Sequence, residues 1–268
     1  MFPLTSSRYN ARSHAVLAVD IVGSSQATDD LLDPMKSEME HGVAEALSTV
    51  GLAWSDARHF RETGDGVMLA YPEETIGQVV EVVFHLDHLM RSRNRYARTP
   101  MRARVAVHCG PMAENHRYHR TYITLTRLLT AGAFTNAVAH WCRLDPVGEK
   151  FGAGMVLSQQ VWRNVVEPFT VALVPPARCA QITATAADFV ENAWVHFPGL
   201  DAEAALADIG VQRPAARRAQ VAGAELDGFV AGPDADPGGD VVSLTGSPSS
   251  GVNGSHAFPV PRRSDEGA

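Results

Sequence analysis

The chain has 268 residues and a formal net charge of −7 at pH 7. That length holds one or two domains with an ordinary core, while the acidic balance excludes general binding to nucleic acid or to an anionic membrane, both of which need a cationic face. Three scattered cysteines, Cys109, Cys142 and Cys179, exclude a disulfide framework and point to a reducing, cytoplasmic setting.

Residues 1–13 read as an N-terminal extension. The run HAVLAVDI follows, β-branched and bounded by Gly23 and two serines, and is expected to be a buried strand. Its apolar stretch stops at Asp20, too soon for a signal-peptide core or a membrane span. No later run approaches the roughly 20 apolar residues of a spanning helix, so the chain is expected to be soluble.

From Ser25 to Val50 the spacing of Leu31, Met35, Met39, Val43 and Leu47 predicts a helix interrupted at Pro34. Ala57 to Glu62 and Val67 to Tyr71 flank TGDG, whose glycines can take positive φ, and predict a β-hairpin with Asp65 at its tip. Ile76 to Met90 reads as a helix and MRARVAVHCG as a strand. A helix from Thr135 to Leu144, a strand at GMVLS and a helix capped by Ser158 come later. The order β, α, β-β, α, β, α, β, α predicts an α+β fold: a ferredoxin-like sheet covered by helices on one face.

This domain is expected over residues 14–175. Residues 176–201, with Phe189, Trp194 and Phe197 in a polar setting, read as a closing strand or a docked segment. From Ala202 to the end, residues 202–268 are rich in Ala, Gly, Pro, Asp and Ser, and too little apolar surface is available to offset the entropy of ordering them. A disordered tail is expected there.

Two carboxylates sit where chemistry is done. Asp20 closes a strand, Gly23 permits a tight turn, and Ser24 or Ser25 can cap the helix behind it. Such an aspartate either caps the turn or helps bind a metal-chelated triphosphate, because Mg²⁺ takes one or two carboxylates plus phosphate oxygens. Asp65 at the hairpin tip reads as turn chemistry on its own. In a ferredoxin-like sheet, however, the end of the first strand and the tip of the central hairpin can lie side by side, and two carboxylates there can hold two divalent ions.

The blocks VLAVDIVGSS, TGDGVMLAYP, MRARVAVHCGP, GAFTNAVAHWCRLD and GMVLSQQVW, in that order over about residues 14–166, resemble the catalytic domain of class III adenylyl and guanylyl cyclases. The resemblance implies that Asp20, Asp65 and the Ile21 carbonyl hold two Mg²⁺ or Mn²⁺ ions per site, and that Gly23 and Ser24 cradle phosphate. It also implies a nucleoside triphosphate as substrate, a 3′,5′-cyclic nucleotide and pyrophosphate as products, and a homodimer with shared active sites.

The family's helix carries an Asn and, four residues later, an Arg that contact ribose and the transferring phosphate. In one register Asn136 matches and His140 takes the Arg place; in another Arg143 matches and Ala139 takes the Asn place. Asn136 and Arg143, seven apart, share a helical face about 10.5 Å apart along the axis. His140 is the other candidate for the cation. For base recognition Arg61 replaces the Lys of adenylyl and the Glu of guanylyl enzymes, and Leu129 replaces an adenylyl Asp. Arg61 can only donate, which suits the carbonyls of uracil, cytosine or guanine. A pyrimidine substrate is therefore open, and free-standing makers of cyclic UMP or CMP in bacterial anti-phage signalling resemble this family.

Two other readings stand beside this one: a catalytically silent cyclase-like module that binds nucleotide or dimerises, and a ferredoxin-like binding module unrelated to cyclases. The segment ENHRYHRTYITLTRLLT reads as a polar connection or as a loop reaching triphosphate or a partner subunit. Lys150 is a turn cation or a phosphate contact. His108, Cys109 and His119 lack zinc spacing, and no P-loop or Rossmann fingerprint occurs.

Overall fold

The computed structural model describes residues 11–113, 119–186 and 189–211. All of them fall in one compact unit, Met1–Arg218; the second unit, Ala219–Ala268, lies outside the described residues, as do residues 1–10 of the expected N-terminal extension.

Strand β1 (Ala11–Ile21) leads into α1 (Asp29–Thr49), the hairpin β2 (His59–Glu62) and β3 (Gly66–Pro72), α2 (Ile76–Asn94) and β4 (Ala103–Ala113). These strands lie in the order β2-β3-β1-β4 with every neighbour antiparallel, which is the ferredoxin-like arrangement expected from the sequence. Helices α3 (Arg120–Leu129) and α4 (Gly132–Leu144) then carry the chain to β5 (Ala153–Ser158), parallel to β4. A short α5 (Gln159–Val161), capped by the Ser158 hydroxyl as expected, runs into a wide turn. Strands β6 (Cys179–Ala186) and β7 (Phe189–His196) complete a seven-stranded sheet, and α6 (Ala202–Asp208) follows.

Helices cover both faces of the sheet, not one. Along β1, Ala15, Leu17, Val19 and Ile21 enter a core with Met39, Val43 and Leu47 of α1 and with α2. Val16 and Ala18 enter a second core with α3, α4 and α6. A strand apolar at every central position has to be buried twice.

Several boundaries also differ from the sequence reading. Pro34 does not interrupt α1; it lies inside the helix on an exposed face, and Leu31 is 47% exposed instead of joining the apolar stripe. Residues 120–129, read as part of a polar connection, form α3, which buries Tyr122, Leu125, Leu128 and Leu129. Residues 114–118 of that connection lie outside the described residues. Residues 176–201 contribute two strands to the main sheet. The first turns of the expected tail are helical: Asp201 Oδ1 accepts the N–H groups of Glu203 and Ala204, and Ala202, Ala205 and Leu206 are buried. An alanine-rich composition reads as disorder there, yet Ala is the best helix former and needs only a cap and an apolar face to use that propensity. The remainder of the tail, 212–268, lies outside the described residues.

Two buried acids tie the layers together. Asp87 on α2 accepts the N–H groups of Gly152 and Ala153 at 2.8 and 3.1 Å and pairs with Arg91. Asp145, after α4, accepts those of Glu149, Lys150 and Phe151. Lys150 is thus a residue of a turn organised by Asp145.

Candidate active site

β1 ends at Ile21, whose side chain is in the core, so only its backbone carbonyl is a candidate ligand. The chain turns through Gly23 at φ +79°, a conformation that favours glycine. A short turn over Ser24–Gln26 follows, with Gln26 N–H donating to the Gly23 carbonyl. On the hairpin, Gly64 also takes positive φ, and Asp65 N–H donates to the Thr63 carbonyl.

Strand register brings the carboxylates together. Asp20 is the cross-strand partner of Gly66, the residue after Asp65. The buried Ser24 hydroxyl donates to Asp65 Oδ2. On the other flank, Arg104 of β4 is the partner of Asp20 and holds it bidentately, Nε to Oδ1 at 2.8 Å and Nη2 to Oδ2 at 2.7 Å. Burial pushes the Asp20 carboxyl up to about 6; Arg104 pulls against that rise and the nearby Asp65 charge adds to it.

This donor set fits a hard divalent cation. Two carboxylates and a hydroxyl are oxygen ligands, and Mg²⁺ needs no more protein than that once phosphate oxygens are present. Among the described residues no group of three or more His, Cys, Asp or Glu side chains forms a metal cage. A divalent ion held by these groups would take its remaining ligands from substrate or water.

Arg61 pairs across the hairpin with Met68, which is itself opposite Ala18, so its side chain is on the same sheet face as Asp20. A cavity of about 520 Å³ opens there, lined by Arg61, Glu62, Thr63, Met68, Tyr122 and Thr126 among others. The Arg61 guanidinium lies 6.0 Å from the Tyr122 ring centroid. Leu129, expected near the base, is packed in the core and does not line this cavity; Thr126, one turn earlier on α3, does. His119 lines it as well.

The α4 residues are placed differently. Asn136 and Arg143 are both exposed. His140 is buried between α4 and α6, its ring edge-on to Trp141 and its Nε2 3.5 Å from the Asp208 carboxylate. It is a packing residue and not a solvent-facing cation. Helix α4 lies over β6, four strand positions from β1, or about 19 Å at the usual strand spacing. One chain therefore brings together Asp20, Ser24 and Asp65, with Gly23 in the adjoining turn, but not Asn136 or Arg143.

Sequence reasoning grouped Tyr122 with the segment that could reach triphosphate but did not single out Arg104, Thr63 or Thr126. A signal existed for Arg104, a cation between the apolar residues Ala103 and Val105 of β4.

No family model matches the sequence, and no curated protein matches it. Solved structures do. The adenylate/guanylate cyclase/hydrolase of Silicibacter pomeroyi is similar over 71% of this chain and 99% of its own, at 14% identity and a TM-score of 0.47. A bacterial light-regulated adenylyl cyclase is similar over 74% of this chain and 56% of its own, at 8% identity and a TM-score of 0.48. The guanylyl cyclase domain of the RhoGC fusion protein of Blastocladiella emersonii is similar over 71% and 97%, at 10% identity and a TM-score of 0.45. Among the described residues no helix is long and apolar enough to cross a membrane.

Proposed function

We propose that this chain is a nucleotide cyclase: the 3′-hydroxyl of a nucleoside triphosphate attacks its own α-phosphorus, pyrophosphate leaves, and a 3′,5′-cyclic nucleotide is released. The observation that carries the reading is the pairing of Asp20 with Gly66, which sets two carboxylates beside the Gly23 turn and next to a cavity of nucleoside size. Mg²⁺ or Mn²⁺ held there would acidify the 3′-hydroxyl and neutralise charge developing on phosphorus.

The residues of the chain do the rest. Asp20 and Asp65, with the Ile21 carbonyl, are the proposed ligands. Gly23 and Ser24 form the turn that receives phosphate, and Arg61 donates to a base carbonyl in a cavity that Tyr122 helps to line. A donor-only Arg61 favours uracil, cytosine or guanine over adenine. A pyrimidine product is the one that would connect the protein to anti-phage signalling.

The separation of α4 from the carboxylates within one chain supports a homodimer in which Asn136 and Arg143 of one subunit complete the site of the other. Charge would then be stabilised on the transferring phosphate by Arg143, since His140 is packed away.

Incubating the full chain with each of the four ribonucleoside triphosphates and Mn²⁺, with products identified by mass spectrometry, tests this. A cyclic nucleotide from at least one substrate, lost in Asp65→Ala, is expected; no cyclic product from any would overturn the reading. The silent-module alternative draws on one observation, that Arg104 already occupies both Asp20 oxygens. It predicts triphosphate binding or self-association without product.

A further inference from the structure

A second cavity lies where β1 begins and β3 ends, and His14 on its lining is about 20 Å along β1 from Asp20. It encloses about 470 Å³ and is lined by Arg12, His14, Arg58, His59, Glu73 and Glu74 among others, none of which lines the cavity beside Arg61. His14 is only 6% exposed. Its Nδ1–H donates to the Arg12 carbonyl at 2.8 Å, and among the described residues nothing bonds to the other ring nitrogen, Nε2. The ring is fixed edge-on against His59, with centroids 5.3 Å apart, and His59 in turn meets His119 at 5.5 Å. Arg12 and Arg58 are exposed, and among the described residues neither guanidinium makes a hydrogen bond or an ion pair. Glu73 does not neutralise them; it accepts the Cys109 thiol at 3.2 Å.

Two unpaired guanidinium forks match the oxygens of a phosphoryl group. His14 Nε2 accepts the hydroxyl of a singly protonated phosphoryl group or, when protonated, donates to it. The carboxylates cannot serve phosphate, but they accept alcohol O–H groups. The volume is more than inorganic phosphate fills and falls in the range of small-molecule sites. We infer that this cavity binds the phosphomonoester of a small polyhydroxy compound without metal, its phosphate on Arg12, Arg58 and His14 and its hydroxyls on Glu74. The site is separate from the proposed nucleotide chemistry, since neither Asp20 nor Asp65 takes part in it.

The test is calorimetric titration of the full chain, in EDTA, with ribose 5-phosphate, glycerol 3-phosphate and inorganic phosphate in turn. Wild type is expected to bind at least one of the two esters, and more tightly than inorganic phosphate. Arg12→Gln and Arg58→Gln are each expected to weaken that binding about tenfold or more, as loss of a charged donor does, and the double variant to abolish it. Both side chains are exposed, so Tm is expected to stay near that of wild type. Ser24→Ala, in the turn beside Asp65, is expected to bind the ester as wild type does. If wild type binds neither ester, or the folded double variant binds as tightly as wild type, the site is overturned. Loss of binding in Ser24→Ala with retention in the arginine variants would put the phosphate in the Gly23 turn and overturn it equally. Inorganic phosphate binding as tightly as the esters would overturn the assignment of an organic ligand.

Discussion

Asp20 and Gly66 face each other across β1 and β3, and the missing side chain of Gly66 is what lets the two strands close at that point. A Cβ on Gly66 would collide with the Val19 carbonyl and lie 3.0 Å from both the Asp20 Cα and Thr63 Oγ1. Gly66→Ala is therefore expected to cost about 2 kcal/mol or more, since backbone cannot yield as a side chain does, and to weaken Mn²⁺–triphosphate binding. Urea melts and retention of Mn²⁺–triphosphate with the protein on ultrafiltration check both; a Gly66→Ala protein as stable as wild type would show that the strands are not held in this register. Gly23→Ala meets no atoms, and only the positive φ penalises it, by about 1–2 kcal/mol.

The exposed pair on α4 separates catalysis from stability. Asn136→Ala and Arg143→Ala are expected to leave Tm nearly unchanged while lowering product formation by roughly tenfold to a thousandfold, the usual range for removing a donor that acts on developing charge. His140→Gln is expected to do the reverse, because the ring packs on Trp141. Mixing the Asp20→Asn and Arg143→Ala proteins provides the sharper check. A shared site restores one intact centre per heterodimer and returns about a quarter of wild-type activity; no recovery after subunit exchange would mean that each chain works alone.

His108 provides a pH signature. Its Nδ1 lies 2.9 Å from the Ser158 hydroxyl, and burial pushes its pKa down from 6.5 to about 4. Between those values the unfolded chain binds a proton that the folded chain refuses. The contribution to stability is thus complete above about 6.5 and is lost as pH falls toward 4. His108→Gln, which keeps a hydrogen-bonding side chain without titrating, is expected to flatten the fall of Tm over that window. Equal slopes in the two proteins would refute the assignment.

Asp87 is buried with its carboxylate on two backbone N–H groups of the β5 entrance. Asp87→Ala leaves both amides and Arg91 without their acceptor and is expected to cost about 2–5 kcal/mol in a urea melt. Asp87→Asn keeps an acceptor and is expected to lose about half as much. A cost below 1 kcal/mol for the alanine variant, within the ordinary range of exposed sites, would show that water replaces the carboxylate.

Local chemistry made most of the elements legible. Alternating and helical apolar spacing marked β1, α1, the hairpin, α2, β4, α4 and β5, because each pattern is a property of a few neighbouring residues. Helix α3 was missed although Tyr122, Leu125, Leu128 and Leu129 recur at helical spacing, since the basic and aromatic residues before it dominate the segment. Helix α6 was missed because its stability comes from burying Ala205 and Leu206 against a core that composition does not reveal.

By itself the sequence determined that Asp20 ends a strand beside a glycine turn and that Asp65 stands at a hairpin tip; both follow from residues within a few positions. Only the tertiary structure decided what stands next to them. Arg104 lies 84 residues from Asp20 and Ser24 lies 41 from Asp65. Pairing register places such partners, and a shift of one residue would turn every side chain to the other face. The same holds for α4, where sequence spacing left both Arg143 and His140 as candidates for the cation. Packing against α6 buried one and left the other exposed.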